Sequence, residues 1–196
     1  MTTETPPRAC TMQDAELLET EVLVEKPKRF VRESLAMPDG YELDWYYVDT
    51  PPSVLTVPVT ADGELVMVRQ YRHNLKRHAL EFPAGTVNDG EDLAAAALRE
   101  LEEETGCTLL PGAQLRPLGA YYSLPSETNK YTHVYLAQPV TISGPATGDT
   151  EIEKYFDMSV VRVPLAEAVA EIGAGINGTE TVTALMLAWK VISSAK

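Results

Sequence analysis

Cysteine is scarce in this chain: Cys10 and Cys107 are the two present in 196 residues. Two thiols cannot build a disulfide framework, and such use fits a reducing compartment. Basic residues are also few, 16 Lys and Arg against 29 Asp and Glu, for a formal net charge of -13. That balance argues against a general nucleic-acid binder or a protein of anionic membranes, because phosphate contacts need a basic surface. It leaves room for a small phosphorylated substrate held by metal ions and a few local arginines. No apolar run approaches a membrane span, and Met-Thr-Thr-Glu-Thr-Pro-Pro has neither the basic nor the apolar part of a signal peptide. The expectation is a cytoplasmic protein that binds neither nucleic acid nor membrane. Three histidines, His73, His78 and His133, have no mutual metal spacing and are assigned no role. The hydrophobic share of 44% is ordinary for a globular chain, and the length suits one sizeable domain or a domain with a smaller appendage.

Residues 1–18 are polar and carry prolines, and they read as a flexible tail. Residues 19–52 alternate in a strand-like way, with Val22, Val24, Phe30, Val31, Leu43, Trp45 and Tyr47 as the apolar members and Pro38-Asp39-Gly40 as a turn. So few strands bury little surface alone, so this N-terminal unit is expected to pack on the main domain or on another subunit. Residues 53–196 read as the main domain. Val54–Val59, Leu65–Arg72 and Leu80–Ala84 precede a helix, with Asp62-Gly63 as a hairpin signal. Strands at 115–122, 131–137 and 151–163 follow, then helices at 165–172 and 179–192. The order implies an α/β fold: a mixed sheet with a helix on either side, plus the small antiparallel strand unit.

The most informative stretch is Gly85–Cys107. A glycine-containing loop feeds a helix whose four consecutive alanines favour that conformation. Asp89 and Glu91 sit where acidic groups suit a helix N-terminus, and Gly106 where a left-handed C-terminal residue is wanted. Leu93, Ala97, Leu101 and Thr105 can line the buried side. Glu100, Glu103 and Glu104 project from one neighbouring face, where like charges repel. A multivalent cation would reverse the sign of that interaction. Taken by itself, Glu102-Glu103-Glu104 reads as a solvated acidic face.

The spacing resembles the signature of the Nudix hydrolase family: Gly85, five residues, Glu91, seven residues, Arg99-Glu100, two residues, Glu103-Glu104, one residue, Gly106, then an apolar position held here by Cys107. The resemblance implies a Nudix-like α/β/α sandwich. It implies that Glu100, Glu103, Glu104 and the Ala84 carbonyl bind divalent cations, Mg²⁺ first and Mn²⁺ as an alternative. Gly85, Glu91, Arg99 and Gly106 would give structural support, Arg99 by orienting Glu103 and Glu91 by holding Arg99.

Gln70-Tyr71-Arg72 ahead of Glu81-Phe82-Pro83-Ala84-Gly85 is similar to the ADP-ribose pyrophosphatase branch. That likeness implies Arg72 on the substrate diphosphate with Glu81 beside it, although an Arg72–Glu81 ion pair would account for the same residues. It implies a late glutamate, Glu151 or else Glu153, as general base or extra metal ligand, with Glu103 as the other catalytic carboxylate; both late residues are equally read as exposed charges. In that branch the N-terminal unit is exchanged across a homodimer, and Trp45 would stack on the base. Ser126-Glu127 stands where the branch usually has glycine after Pro125. The expected reaction is hydrolysis of ADP-ribose to AMP and ribose 5-phosphate. Another nucleoside diphosphate sugar such as GDP-mannose, or a silent ADP-ribose sensor, are the alternatives.

Overall fold

A computed structural model describes residues 10–147 and 155–194. The chain divides into two compact units, one running to Thr50 and taking in Leu124–Lys130, the other holding Pro51–Ser123 and the residues from Tyr131 on.

In the first unit β1 (Glu16–Val24), β2 (Arg29–Ala36) and β3 (Glu42–Asp49) pair antiparallel in that order. Between β2 and β3 the chain reverses at Gly40, whose φ of +88° suits a residue without Cβ. β1 begins at Glu16, so ordered strand reaches into the residues read as tail. Val31 and Leu35 are buried, whereas β1 is exposed along its whole length. The stretch 124–130, a plain polar loop by sequence, belongs to this unit through long-range bonds. Val48 N–H donates to Glu127 O at 2.9 Å, Thr128 Oγ1 to Val48 O at 2.8 Å, and Asn129 Nδ2 to Asp49 Oδ1 at 2.6 Å. Irregular backbone pairing of this kind leaves no periodic trace in a sequence.

The second unit is built on β4 (Ser53–Thr60), every residue of which is buried. A strand covered on both faces reads as a continuous apolar run, as Val54-Leu-Thr-Val-Pro-Val59 does. β4 pairs antiparallel with β5 (Glu64–Arg72) and parallel with β9 (Tyr131–Ile142). The sheet runs β10-β5-β4-β9-β8, where β8 is Cys107–Tyr122 and β10 is Ser159–Pro164; β6 (Arg77–Glu81) joins β5, and β7 (Ala84–Thr86) joins β4. Alternate residues of β4 serve opposite layers. Leu55, Val57 and Val59 pack with Ala168 of α2 (Leu165–Ala170) and with Ala184, Leu185 and Ala188 of α3 (Thr179–Ser193). Val54 meets Ala96 and Ala97 of α1 (Leu93–Thr105), and Thr56 Oγ1 donates to Ala97 O at 3.1 Å. Val66 packs with Leu101 and Cys107, so the lone box cysteine is a buried apolar filler. The architecture is the expected α/β/α sandwich with a mixed sheet, and a small antiparallel sheet accompanies it.

Two local differences have clear causes. The strand expected over Leu80–Ala84 is split at Phe82-Pro83, where Phe82 is buried and Pro83 O accepts from Thr56 N at 2.9 Å. β8 starts at Cys107 rather than Leu115, with the Pro111-Gly112 corner taken up as a register irregularity between Leu109 and Gln114. Leu101, fully buried, joins α1 to the sheet. Leu101→Ala is expected to cost about 2–5 kcal/mol of stability, read as a lowered urea midpoint.

Candidate active site

The helix α1 is positioned by its ends. Asp92 is the N-cap, its Oδ1 accepting from Ala94 N and Ala95 N at 3.0 Å each. Gly106 closes the helix in the left-handed region at φ +67°, its N–H donating to Glu102 O at 2.7 Å. The expectation that Asp89 and Glu91 serve the helix N-terminus is corrected here: Asp92 fills the cap, and the first turn holds no acidic residue. Glu91 instead folds back over the loop, where it accepts from Asn88 N at 2.9 Å. Ala96, Ala97, Leu101 and Thr105 are the buried face.

Arg99 gathers the carboxylates. Its Nε donates to Glu91 Oε1 at 2.8 Å and its Nη2 to Glu91 Oε2 at 3.0 Å, a bidentate pair. Nη1 reaches Glu100 Oε1 at 2.7 Å and Glu103 Oε2 at 3.1 Å, while Nη2 also donates to Thr86 O at 3.1 Å. Arg99 and Asn88 explain the low proton affinity of the Glu91 carboxyl. The Arg99 bonds and then the Asn88 N–H hold it down to about 2. Glu104 turns the other way and accepts from Ala84 N at 3.0 Å. A Cβ on Gly85 would run into the Glu100 carboxylate, so the loop glycine makes space for that side chain.

A second group stands on β5 and β6. Arg72 Nε donates to Glu81 Oε1 at 2.9 Å and Nη2 to Glu81 Oε2 at 2.5 Å. The ion-pair reading of these residues is therefore what the structure contains, and Arg72 uses two of its five donors in it. Glu81 first, then the charges of Glu104 and Glu180, tighten the hold on the Arg72 proton beyond its ordinary value. Sequence reasoning missed two participants. Gln70 is buried at 4% exposure and donates to Glu81 Oε2 at 3.2 Å; its place inside the Gln-Tyr-Arg triplet was the available signal. Glu180, in the first turn of α3, accepts from Ser123 Oγ at 2.6 Å, and no local pattern links it to Arg72.

Trp45 belongs to the first unit, on β3 opposite Glu33, and is 42% exposed. Glu151 and Glu153 lie outside the described residues.

Among the described residues no three His, Cys, Asp or Glu side chains converge as a metal cage. Glu100 and Glu103 converge on the Arg99 cation, and Glu104 faces the Ala84 amide. The donor set nonetheless fits a hard divalent cation. It consists of carboxylate oxygens on one helix face, with Glu100 seated against a glycine that leaves it room.

Residues 49–177 match the NUDIX domain family. The chain belongs to the Nudix hydrolase family. It is 36% identical over 110 residues to an ADP-ribose pyrophosphatase of Bacillus subtilis (strain 168), covering 56% of this chain and 58% of that protein. It is 32% identical over 196 aligned positions to an ADP-sugar pyrophosphatase of Mus musculus, covering 88% of this chain and 85% of the mouse protein. The chain thus spans little more than half the length of the bacterial relative and most of the mouse one. The crystal structure of an ADP compounds hydrolase superposes with a TM-score of 0.79, covering 94% of this chain and 97% of its own at 23% identity, a likeness of fold. No helix among the described residues of this Nudix protein is long and apolar enough to cross a membrane.

The depressed Glu91 carboxyl sets a pH dependence. A carboxyl held below its unfolded value stabilises the fold above the ordinary value of 4.5, and that contribution disappears as pH falls through about 2. Glu91→Gln is expected to remove this part of the acid limb, so its unfolding midpoint changes less between pH 5 and 2 than that of the parent. Circular dichroism melts across that range read the difference.

Proposed function

We propose that this chain is a Mg²⁺-dependent pyrophosphohydrolase that opens the diphosphate of ADP-ribose, yielding AMP and ribose 5-phosphate. The observation that carries the reading is the convergence of Glu91, Glu100 and Glu103 on Arg99, with Glu104 turned to the Ala84 amide. It is a preformed bank of carboxylates, three on α1 and Glu91 on the loop before it. The names of the bacterial and mouse relatives support an ADP-linked sugar as substrate.

Glu100, Glu103, Glu104 and the Ala84 carbonyl would hold the divalent cation, Mg²⁺ or Mn²⁺. When bound, it would offset phosphate charge and ease deprotonation of the attacking water. The remaining work falls to side chains. Arg72, oriented by Glu81 and Gln70, grips the diphosphate with donors beyond those given to Glu81. Water attacks one phosphorus and the bridging P–O bond breaks. The released proton passes to a carboxylate, Glu103 or Glu151, with Glu153 as the alternative to Glu151. The other phosphate leaves with the bridging oxygen.

The protein acts as a homodimer in this reading, with the strand unit of one copy offering Trp45 to the base bound by the other. Stacking of that kind is worth roughly 1–3 kcal/mol per base. The exposed β1, with Leu17, Leu18, Leu23 and Val24 between 44% and 55% accessible, supports a unit that is completed by another chain. Two free cysteines, one exposed and one buried, fit the cytoplasm.

The test is a hydrolysis panel of ADP-ribose, GDP-mannose and other nucleotide sugars with Mg²⁺ or Mn²⁺. ADP-ribose is expected to turn over fastest, and Glu104→Gln to lose at least about a hundredfold in kcat. Faster turnover of GDP-mannose would move the assignment to that sugar. No turnover of any diphosphate would leave a binding protein. Equilibrium sedimentation of the full chain should give twice the monomer mass, and a variant lacking residues 1–48 should sediment as a monomer.

A further inference from the structure

The C-terminal turn of α1 presents an electrostatic problem that its own sequence does not solve. Glu102, Glu103 and Glu104 crowd the last turn, which contains no basic residue. A helix C-terminus is itself the negative end of the macrodipole, and its final carbonyls lack partners within the helix. The donors come from a distant stretch that follows β9. Thr147 N–H donates to Glu103 O at 2.8 Å. Ser143 N–H and Gly144 N–H donate to Gly106 O at 2.8 and 3.3 Å. A side-chain bond between Thr108 Oγ1 and Ser143 Oγ, at 2.6 Å, ties the same stretch to the start of β8. The fit is close, since a Cβ on Gly106 would collide with Gly144 O. Residues 143–147 therefore form a strap across the end of the helix that bears the candidate ligands.

We propose that this strap is a positioning element for cation binding: the Thr147 amide, through Glu103 O, holds the last turn of α1 so that Glu103 and Glu104 stay on one face. Thr147 touches neither substrate nor cation in this role; it acts through the helix backbone. The inference rests on the cation site proposed above. Its consequence is reciprocal, because a strap that favours cation binding must in turn be held more firmly once the cation is bound.

Two measurements on the full chain test this. Mn²⁺ binding is followed by electron paramagnetic resonance for the parent, Thr147→Pro and Thr147→Ala. Proline removes the main-chain donor and alanine keeps it. A single hydrogen bond of ordinary worth predicts Mn²⁺ binding about fivefold weaker in Thr147→Pro, with Thr147→Ala like the parent. Equal weakening in both variants, or parental binding by a folded Thr147→Pro, overturns the strap. The second measurement needs no variant: Mg²⁺ added to the parent should slow exchange of the Ser143, Gly144 and Thr147 amides, and unchanged exchange overturns the coupling. If the parent binds no Mn²⁺, both the cation site and the strap fall. If it binds Mn²⁺ and Thr147→Pro binds equally, the strap alone falls.

Discussion

One guanidinium holds the candidate site together. Arg99 donates to Glu91, Glu100, Glu103 and the Thr86 carbonyl, so it ties the loop after β7 to the middle and end of α1. Without a cation among them these carboxylates would repel one another and strain the helix. Arginine suits the place because its planar fork serves several oxygens at once in fixed directions, which a lysine ammonium cannot do. Its partners return the effect, and Glu91 first among them raises the Arg99 proton affinity above its ordinary value.

That arrangement needs a rigid floor, which the sheet supplies. β4 is buried on both faces, so its alternate residues clamp α1 on one side and α2 with α3 on the other. β7 hangs from β4 through Leu55–Ala84 and Val54–Gly85 pairing, which sets Ala84 and Gly85 beneath α1. From there the Ala84 amide reaches Glu104, and the missing side chain of Gly85 admits Glu100. Two separate sequence features, an apolar run and a glycine, thus meet at one spot.

Much of this was legible in the residues. The apolar run of β4, the Asp62-Gly63 reversal, the alanine-rich helix and the glycine at its end each follow from local propensity. The Arg99–Glu103 and Arg99–Glu91 pairs follow from helical spacing and the loop before it. Other parts were hidden for a physical reason. Asp89 and Glu91 were expected at the helix N-terminus and Asp92 caps it, because the three acids are chemically alike and only the backbone path chooses among them. The membership of 124–130 in the first unit rests on bonds to Val48 and Asp49, some eighty residues away. Gln70 looked like an ordinary strand residue until its burial showed that it must spend its amide on Glu81.

The Gly85–Cys107 sequence by itself determined the helix, the run of carboxylates along it and the family to which the chain belongs. Those properties depend on spacing along one short element, and spacing is what a sequence records. Tertiary structure alone decided what surrounds that face. It placed Arg72 in a fork with Glu81, brought Glu180 of α3 to Ser123 just past the end of β8, and laid residues 143–147 across the end of α1. The fork joins neighbouring strands by two bonds, and the other two join segments far apart in the chain through individual hydrogen bonds. Such bonds require neither periodicity nor a distinctive residue type, and the Thr147 and Ser143 donors are main-chain amides that nearly any residue carries.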